Sequence, residues 1–312
     1  MGLAVSELPP APPLHRMYLK TAGDRVAVEQ ACLAGGFLGL GWGYRWRSQP
    51  PPKVIAWEKY IDWAEGKWPG EMGSVRRLRD ADGLVWTRTA DGVYYLARFD
   101  DEWEHRVGDP YDRLDLNNVR PARIEKVGAE TEVPGGVVRR FSRQGQAFCR
   151  VWDESAARYS ALLWARRTGE PYDWRPSVDE VLDALLSPFD VQDLVAAYLQ
   201  AKRGWLLFPS RLSDSTAAYE YVLRDPGTGH SYAVQVKTGE SSIELGGLSL
   251  AGGLAGWVVF STTNAYRGRR PRHVEELERG ELLRFMIEHR SAIPPIVDTW
   301  LETASDAAEA SR

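Results

Sequence analysis

Hydrophobic and polar residues alternate with a period of two along residues 219–238, within two runs of β-favouring side chains. These runs are separated by residues 225–229, Asp-Pro-Gly-Thr-Gly, which is typical turn chemistry. The pattern predicts a β-hairpin, with Glu220 on the first strand and Gln235 and Lys237 on the second. Because side chains two residues apart on a strand point the same way, Gln235 and Lys237 are expected to share one face.

The apolar spacing after residue 176 predicts helices and strands on both sides of this hairpin. Ser177 and Glu180 have the spacing of a capping box, which marks the start of a helix. Together these patterns predict an α/β sheet flanked by helices. The predicted elements are, in chain order, a helix from Ser177, a helix over 190–202 that ends at Gly204, a buried strand over 205–208, the hairpin, a buried strand over 256–262 and a helix within 275–289, with the acidic run 275–278 on its surface.

Short strands separated by turns are predicted for most of the chain before residue 142. Residues 84–88 and 94–98 form the clearest pair, because Asp91-Gly92 between them is hairpin turn chemistry. The sequence therefore predicts a small, mostly β, barrel-like domain. Its predicted strands cover 25–28, 37–42, 84–88, 94–98, 118–120 and 136–139, and one helix is predicted over 54–68.

Two folded domains are expected from the length of 312 residues and from the change of pattern along the chain. The predicted organisation is a flexible tail over 1–16, a Trp-rich β domain over 17–142, a helical connector over 143–175, an α/β domain over 176–303 and a second flexible tail over 304–312.

The composition is that of a globular protein, with 44% hydrophobic and 26% charged residues. The formal net charge of −4 argues against coating of nucleic acid by charge alone, although a local basic groove is compatible with it. Two cysteines far apart give neither a disulfide framework nor a zinc motif, and no signal peptide or membrane helix is expected. These features predict a cytoplasmic protein without a membrane partner.

The segment from residue 188 to about 263 resembles the PD-(D/E)XK nuclease superfamily, in particular its Mrr-like restriction endonuclease branch. Members have a helix with an acidic residue, a strand with a metal-binding acid, and a strand with an acid or Gln, one residue, and Lys. Glu220 matches the strand acid, and Gln235-Val236-Lys237 matches the last element in its Gln-containing form. The resemblance covers about the last 130 residues of the chain.

This resemblance implies metal-assisted hydrolysis of phosphodiester bonds in DNA, and so a restriction or defence endonuclease. Mg²⁺, or Mn²⁺ in its place, would be held by Glu220, the side-chain oxygen of Gln235 and a backbone carbonyl near Val236. Lys237 would position the attacking water and stabilise the developing charge. Because each chain has one such set, cutting of both strands would indicate a homodimer.

The sequence departs from the family pattern at two positions. The strand acid is Glu220 where Asp is usual, and Gln192 occupies the position of the helix acid, so that Asp193 or Asp190 would have to replace it. These departures favour an alternative, a catalytically inactive nucleic-acid-binding protein with a nuclease fold. A second alternative, a protein-interaction module without a nucleic-acid partner, is favoured by the acidic net charge. The simplest interpretation of the strand itself is that Gln235 and Lys237 form its solvent face and that Glu220 pairs with Lys237 across the strands.

Two polar segments are candidates for contact with the DNA backbone. Arg211 and Ser213, with Ser210 and Ser215, precede the Glu220 strand, and an ordinary polar loop is the alternative there. Residues Arg267, Arg269, Arg270 and Arg272 fall within six positions and could supply the salt-dependent part of DNA affinity, with a solvated loop as the alternative.

Ten of the 13 tryptophans lie before residue 175, which raises the hypothesis of a reader of modified or flipped bases. The segments 37–42, 83–88 and 94–98 are similar to modules of the PUA/EVE type. Trp42, Trp46, Trp86 and Trp103 are the aromatic residues that such a cage would use. Packing in the core of the domain is the alternative role for the same side chains.

Overall fold

The structure, a computed structural model, describes residues 8–19, 21–41, 56–65, 69–142, 146–208 and 219–304. The chain separates into two compact units, residues 1–172 and 173–312, and both contain helices and strands. Within the described ranges, no helix is both long enough and apolar enough to cross a membrane.

The first unit is built on a mixed sheet of seven strands. β1 and β3 are parallel, whereas the other neighbouring strands are antiparallel. The strand order is β2-β6-β4-β3-β1-β7, with β5 also paired to β6. The strands are β1 (Leu14–Tyr18), β2 (Phe37–Leu40), β3 (Leu84–Arg88), β4 (Tyr94–Phe99), β5 (Glu104–His105), β6 (Asn118–Gly128) and β7 (Phe148–Arg150).

Six helices accompany this sheet in the described part of the first unit. The expectation of a mostly β domain was therefore wrong, since the described part of the unit is mixed α/β, and its strands follow one another from β2 to β7. The barrel-like shape stays a prediction. The predicted hairpin of β3 and β4 is confirmed by their antiparallel register. The helices are α1 (Arg25–Gly35), α2 (Trp57–Glu65), α3 (Pro69–Asp80), α4 (Tyr111–Leu114), α5 (Gly135–Ser142) and α6 (Glu154–Thr168).

Two predicted strands of the first unit are helical instead. Residues 25–28 begin α1, because the side chain of Asp24 accepts a hydrogen bond from the backbone N–H of Ala27 at 2.9 Å and so caps a helix. Residues 136–139 lie in α5, where Val137 and Phe141, four positions apart, are both buried. A run of β-branched residues misled the prediction at both places, because the cap and the four-residue spacing outweigh local strand preference.

Residues 143–175, predicted as a connector, contain β7 and α6, and both elements belong to the first unit. β7 pairs with β1 through the register of Cys149 with Arg16. Helix α6 begins at the cap residue Asp153 and ends at Gly169, whose φ of 76° is the left-handed conformation that glycine accepts readily.

The second unit contains a five-stranded sheet in the order β14-β12-β10-β9-β8 and a separate pair, β11-β13. β9 is antiparallel to both of its neighbours, β8 and β10, whereas β12 runs parallel to β10 and β14 parallel to β12. The elements are α7 (Val178–Glu180), a π-helical turn (Val181–Leu185), α8 (Pro188–Arg203), β8 (Leu206–Leu207), β9 (Tyr221–Arg224), β10 (Ser231–Lys237), β11 (Ile243–Glu244), β12 (Gly256–Ser261), β13 (Tyr266–Arg267), β14 (Val274–Glu276), α9 (Arg279–Glu288) and α10 (Pro295–Leu301).

The predicted α/β order of this unit is confirmed at the level of a mixed sheet with helices, with two local corrections. β8 lies at the edge of the sheet and leaves Leu206 50% exposed, so the strand predicted as buried is not. Glu275 and Glu276 belong to β14 and not to a helix surface, because Val274 pairs with Trp257 of the buried strand β12. The helix starts only at Arg279.

Two capping boxes fix the starts of the helices in this unit. Ser177 and Glu180 form the predicted box at α7. Ser187 and Asp190 form a second one at α8, in which the Ser187 hydroxyl donates to the Asp190 carboxylate at 2.6 Å and both residues are buried.

Replacing Ser187 should destabilise the second unit more than replacing Ser177. We expect Ser187→Ala to lower the free energy of unfolding by about 2 kcal/mol, because it removes a cap and leaves a buried carboxylate short of a donor. Ser177→Ala, at the more exposed box, should cost about 1 kcal/mol. Urea denaturation of both variants measures the difference, and equal losses would contradict the role of burial.

Candidate functional site

Glu220 lies directly before β9, beside the face of β10 that carries Gln235 and Lys237. Tyr221, the first residue of β9, pairs with Val234 of β10. The backbone N–H of Glu220 donates to the carbonyl of the same Val234 at 2.8 Å, one residue out of the register of the pair. Gln235 and Lys237 are two residues apart on β10 and so share a face.

Glu220 and Lys237 form an ion pair, with 3.5 Å between the carboxylate Oε1 and the ammonium Nζ. Their side chains remain 26% and 37% exposed. A distance of 3.5 Å is longer than a well-formed N–H···O hydrogen bond, so the contact is electrostatic and loose. Both groups can therefore exchange this contact for one with an incoming ligand.

A third oxygen, the backbone carbonyl of Val236, points to the same edge of β10. The carbonyl of Val234 accepts from β9, whereas the carbonyl of Lys237 accepts from the backbone N–H of Thr262 at 3.1 Å on the other side. Because carbonyl directions alternate along a strand, the Val236 carbonyl points toward the β9 side, as that of Val234 does. The Val236 carbonyl therefore points to the side of β10 on which Glu220 lies.

The face of β10 that carries Gln235 and Lys237 is buried at the start of the strand and partly exposed at its end. Ala233, two residues before Gln235, is fully buried in a small apolar cluster with Trp257 and Val259 of β12. Gln235 and Lys237 are only half-buried. The crossover between β10 and β12 thus covers the start of the strand and leaves its end accessible, which places the polar groups at an opening.

On the neighbouring strand β12, the polar groups beside Lys237 are already hydrogen-bonded within the protein. Ser261 is in register with Lys237 and is fully buried. Its hydroxyl accepts from the backbone N–H of Ala265 at 3.0 Å, and its own N–H donates to the hydroxyl oxygen of Tyr266 at 3.0 Å. Ser261 is therefore a structural residue, and Tyr266, which the sequence analysis overlooked, borders the site.

Helix α8 approaches the sheet from the other face. The hydroxyl of Tyr221, which points away from the face of Glu220, donates to the backbone carbonyl of Gln192 at 3.1 Å. Burial raises the pKa of Tyr221 well above its ordinary value, and the charges of Asp193 and Glu220 raise it further. The start of α8 therefore lies at the same end of the sheet as Glu220. No described hydrogen bond or ion pair joins the side chains of Gln192 or Asp193 to the ion pair.

The two acids of α8 differ in their environments. Asp190 is buried and accepts hydrogen bonds from the N–H and hydroxyl of Ser187, so it serves as a helix cap and not as a substitute metal ligand. Asp193 is partly exposed, and partial loss of water around its carboxyl group, together with the nearby charge of Asp190, raises its pKa from 3.8 to about 6.

The arginine segment after β12 is exposed in the structure. Arg270 lies 3.8 Å from the carboxylate of Glu276, whereas no described acid pairs with Arg267, Arg269 or Arg272. The segment therefore carries a net positive charge at the surface of an otherwise acidic chain. Arg211 and Ser213, together with Ser210 and Ser215, lie outside the described residues.

The tryptophans proposed for a base cage are not available to one where they are described. Trp86 is fully buried and donates to the hydroxyl of Ser160 at 2.9 Å, so it belongs to the core. Trp103 is also buried, with its ring edge-on to Trp57 at a centroid distance of 4.8 Å. A buried ring presents no face to a base. Trp42 and Trp46 lie outside the described residues.

One exposed aromatic side chain escaped the sequence analysis. Trp152 is 76% exposed, and the guanidinium of Arg150 lies 4.4 Å from its ring centroid. Its position in the polar run Arg-Val-Trp-Asp-Glu was the available signal, because a tryptophan among charged residues lacks the apolar neighbours of a core position.

The predicted ligands are all oxygen atoms, which suits a hard cation, but only one of them carries a negative charge. Among the described residues, no group of three or more His, Cys, Asp or Glu side chains is arranged to hold a metal ion. Glu220 contributes one carboxylate, and the oxygens of Gln235 and Val236 are neutral. Mg²⁺ accepts such oxygen ligands and retains water in its remaining positions. The residues therefore fit Mg²⁺ at low affinity, with substrate phosphate supplying further negative charge.

Comparisons of the chain with protein-family models, with curated proteins and with solved structures found no match. A function must therefore be inferred from the geometry of the site and from the chemistry of its residues.

The raised pKa of Asp193 predicts a pH-dependent stability. The folded state holds this proton more tightly than the unfolded state, so the stabilising contribution is fully present below about pH 4 and is lost as the pH rises to about 6. Because the side chain is exposed, we expect Asp193→Asn to stabilise the protein at pH 7 by only about 1 kcal/mol. Chemical denaturation between pH 4 and pH 8 measures this effect. The exposed acid Glu240 provides the control, as Glu240→Gln, and identical pH profiles for both variants would contradict the assignment.

Proposed function

We propose that the chain is a Mg²⁺-dependent DNA endonuclease of the restriction or defence type, of the PD-(D/E)XK kind that its second unit resembles. The observation that carries the proposal is the contact of Glu220 with Lys237, on the half-buried face of β10 that also carries Gln235. An oxygen ligand set beside a fixed ammonium is what hydrolysis of a phosphodiester requires. Target selection is assigned to the first unit.

The order of elements supports the same proposal. Helix α8 is followed by the antiparallel strands β8, β9 and β10, and then by β12 parallel to β10. The acid stands at the start of the middle strand and the Gln-x-Lys pair at the end of the next, which is the sequence of elements that the resemblance predicts. The crossover from β10 to β12 contains short 3₁₀ turns in place of an α-helix.

Glu220, Gln235 and the Val236 carbonyl would hold Mg²⁺, or Mn²⁺ in its place. When bound there, the metal ion lowers the pKa of a bound water and offsets negative charge on the phosphate. The carboxylate of Glu220 already stands 3.5 Å from Lys237, so it keeps the ammonium at the metal edge before substrate arrives.

Lys237 has two roles in this mechanism. Its ammonium hydrogen-bonds the attacking water and so orients that water toward the phosphorus. It also places a fixed positive charge where negative charge develops on the phosphate, and such preorganised charge is most effective where bulk water is partly excluded. A contribution from Gln192 or Asp193 of α8 remains a prediction.

The exposed arginines would bind the DNA backbone. Arg267, Arg269 and Arg272 have no described acidic partner and follow directly after β12, the strand beside Lys237. Contacts of arginine with phosphate release counterions and contribute affinity without sequence information. Their local charge compensates for the net charge of −4 on the whole chain.

One observation favours a second candidate function, a nuclease fold that binds nucleic acid without cutting it. The described site has a single carboxylate, and Asp190, one of the two acids considered as replacements on α8, is used as a helix cap. A single carboxylate lowers the affinity for a divalent cation. In this alternative the ion pair of Glu220 and Lys237 stabilises the pairing of β9 with β10, by about 0–1 kcal/mol.

Plasmid cleavage with Mg²⁺ or Mn²⁺, on modified and unmodified DNA, tests the proposed activity. We expect metal-dependent cutting that falls about 100- to 1,000-fold in Lys237→Ala, because the variant removes one preorganised charge from the transition state. A preference among the DNA substrates would support target selection by the first unit, and cutting of both strands would support a homodimer.

The matched control for this experiment is Lys202→Ala, which removes a surface lysine of the same unit on helix α8. Cutting equal to that of the wild type is expected for the control. DNA binding without cutting by the wild type under any metal would instead select the inactive nuclease-fold alternative, and absence of DNA binding would reject both.

The salt dependence of DNA binding tests the arginine segment. We expect Arg269→Gln and Arg272→Gln each to reduce the slope of log K against log salt concentration by about 1, because each removes one phosphate contact. Arg284→Gln on the exposed side of α9 is the control and should leave the slope unchanged. Fluorescence anisotropy with a labelled duplex at several salt concentrations gives the slopes. If Arg269→Gln and Arg272→Gln have the same slope as the control Arg284→Gln, the segment does not contact DNA.

A further inference from the structure

Arg16, in the central part of the first unit's sheet, is a buried cation with few partners. The residue is 3% exposed. Its Nη1 donates to the backbone carbonyl of Gln146 at 2.7 Å, while its Nε is buried without a hydrogen-bond partner. Arginine is almost never buried to this extent unless it is paired, because removing its charge from water is costly.

Aromatic rings partly compensate for this burial. The guanidinium carbon of Arg16 lies 4.2 Å from the ring centroid of Tyr18 and 5.7 Å from that of Phe141. The Tyr18 hydroxyl donates in turn to the backbone carbonyl of Phe141, which ties strand β1 to helix α5. These contacts fix the orientation of the guanidinium, but they leave its Nε–H unsatisfied.

Two further arginines surround the same position. Arg88 of β3 lies on the same sheet face, since Tyr18 pairs with Arg88 and Arg16 with Trp86 in the parallel register. Its guanidinium carbon lies 5.2 Å from the centroid of the same Phe141 ring. Arg140 precedes Phe141 on α5, and the charges of both Arg140 and Arg88 act on Arg16. Arg16 and Arg88 therefore both lie beside the Phe141 ring, and Arg140 is the neighbour of Phe141 on α5.

Among the described residues around Phe141, the arginines outnumber the carboxylates. Glu130 lies 3.9 Å from Arg88 and accepts a hydrogen bond from the Tyr94 hydroxyl at 2.9 Å. No described carboxylate pairs with Arg16 or Arg140. Burial lowers the pKa of Arg16, and the two neighbouring arginines lower it further, whereas Cys149 and Tyr18 act in the opposite direction.

We propose that Arg16, Arg88 and Arg140 form a binding site for a phosphate group in the first unit. A bound oxyanion would supply the missing negative charge and an acceptor for the buried Nε–H of Arg16. Guanidinium groups match the spacing of phosphate oxygens and bind them through paired hydrogen bonds. The rings of Tyr18 and Phe141 hold Arg16 in place, so that little conformational freedom is lost on binding.

Titration of the full chain with inorganic phosphate, in EDTA and at constant ionic strength against chloride, tests the site. Calorimetry should detect binding by the wild type, and Arg140→Gln should weaken it about tenfold, because one charge-assisted contact is lost. Arg113→Gln is the matched control, since Arg113 is an exposed arginine of the same unit that pairs with Asp109, and it should bind as the wild type does. A parallel titration compares an oligonucleotide carrying a 5′-phosphate with its unphosphorylated form.

The outcomes separate the source of the phosphate from the existence of the site. Binding of inorganic phosphate that weakens in Arg140→Gln supports a free phosphate compound as ligand. Binding only of the phosphorylated oligonucleotide, with the same sensitivity, supports a nucleic-acid phosphate. Absence of both, or equal binding by Arg140→Gln and the wild type, would overturn the proposal.

Thermal unfolding of Arg16→Met gives a second readout that does not depend on activity. Without phosphate this variant should melt at or above the wild-type temperature, because it removes an uncompensated buried charge. Added phosphate should raise the melting temperature of the wild type and leave that of the variant unchanged. A variant that melts far below the wild type, together with no effect of phosphate on the wild type, would assign Arg16 a purely structural role and reject the site.

Discussion

The register of β9 against β10 is the constraint on which the candidate site depends. Tyr221 stands opposite Val234, and Glu220, directly before Tyr221, contacts Lys237 on the face of β10 that also carries Gln235. A slip of one residue would turn every side chain of one strand to the opposite face. Val234 and Val236 prevent such a slip, because both are buried against the other side of the sheet and would become exposed. Apolar packing on one face thus determines the polar geometry on the other.

The two units hold their charged groups in opposite ways. In the second unit, Glu220 and Lys237 are partly exposed and loosely paired, so their interaction contributes little to stability and leaves both side chains available for a ligand. In the first unit, Arg16 is almost completely buried among aromatic rings and other arginines. A buried cation without an acidic partner among the described residues is costly, and binding of the proposed phosphate would offset that cost.

The errors of the sequence interpretation have identifiable physical causes. Residues 25–28 and 136–139 are rich in valine and were assigned to strands, but capping by Asp24 and the spacing of Val137 and Phe141 select helices. Glu275 and Glu276 resembled a helix surface, whereas pairing with the buried strand β12 makes them part of the sheet. In each case a contact with a distant or flanking residue outweighed the preference of the local run.

The sequence by itself determined the hairpin, the capping box at Ser177, the end of α8 at Gly204 and the shared face of Gln235 and Lys237, because turn chemistry, capping residues and the period of two are local properties. Tertiary structure decided which side chains are buried and which distant residues meet. Packing buried Trp86 and Trp103 and exposed Trp152, and the sheet and helix α5 of the first unit brought Arg16 and Arg88 to the ring of Phe141. Burial and long-range proximity depend on how elements pack, and no local pattern of residues specifies them.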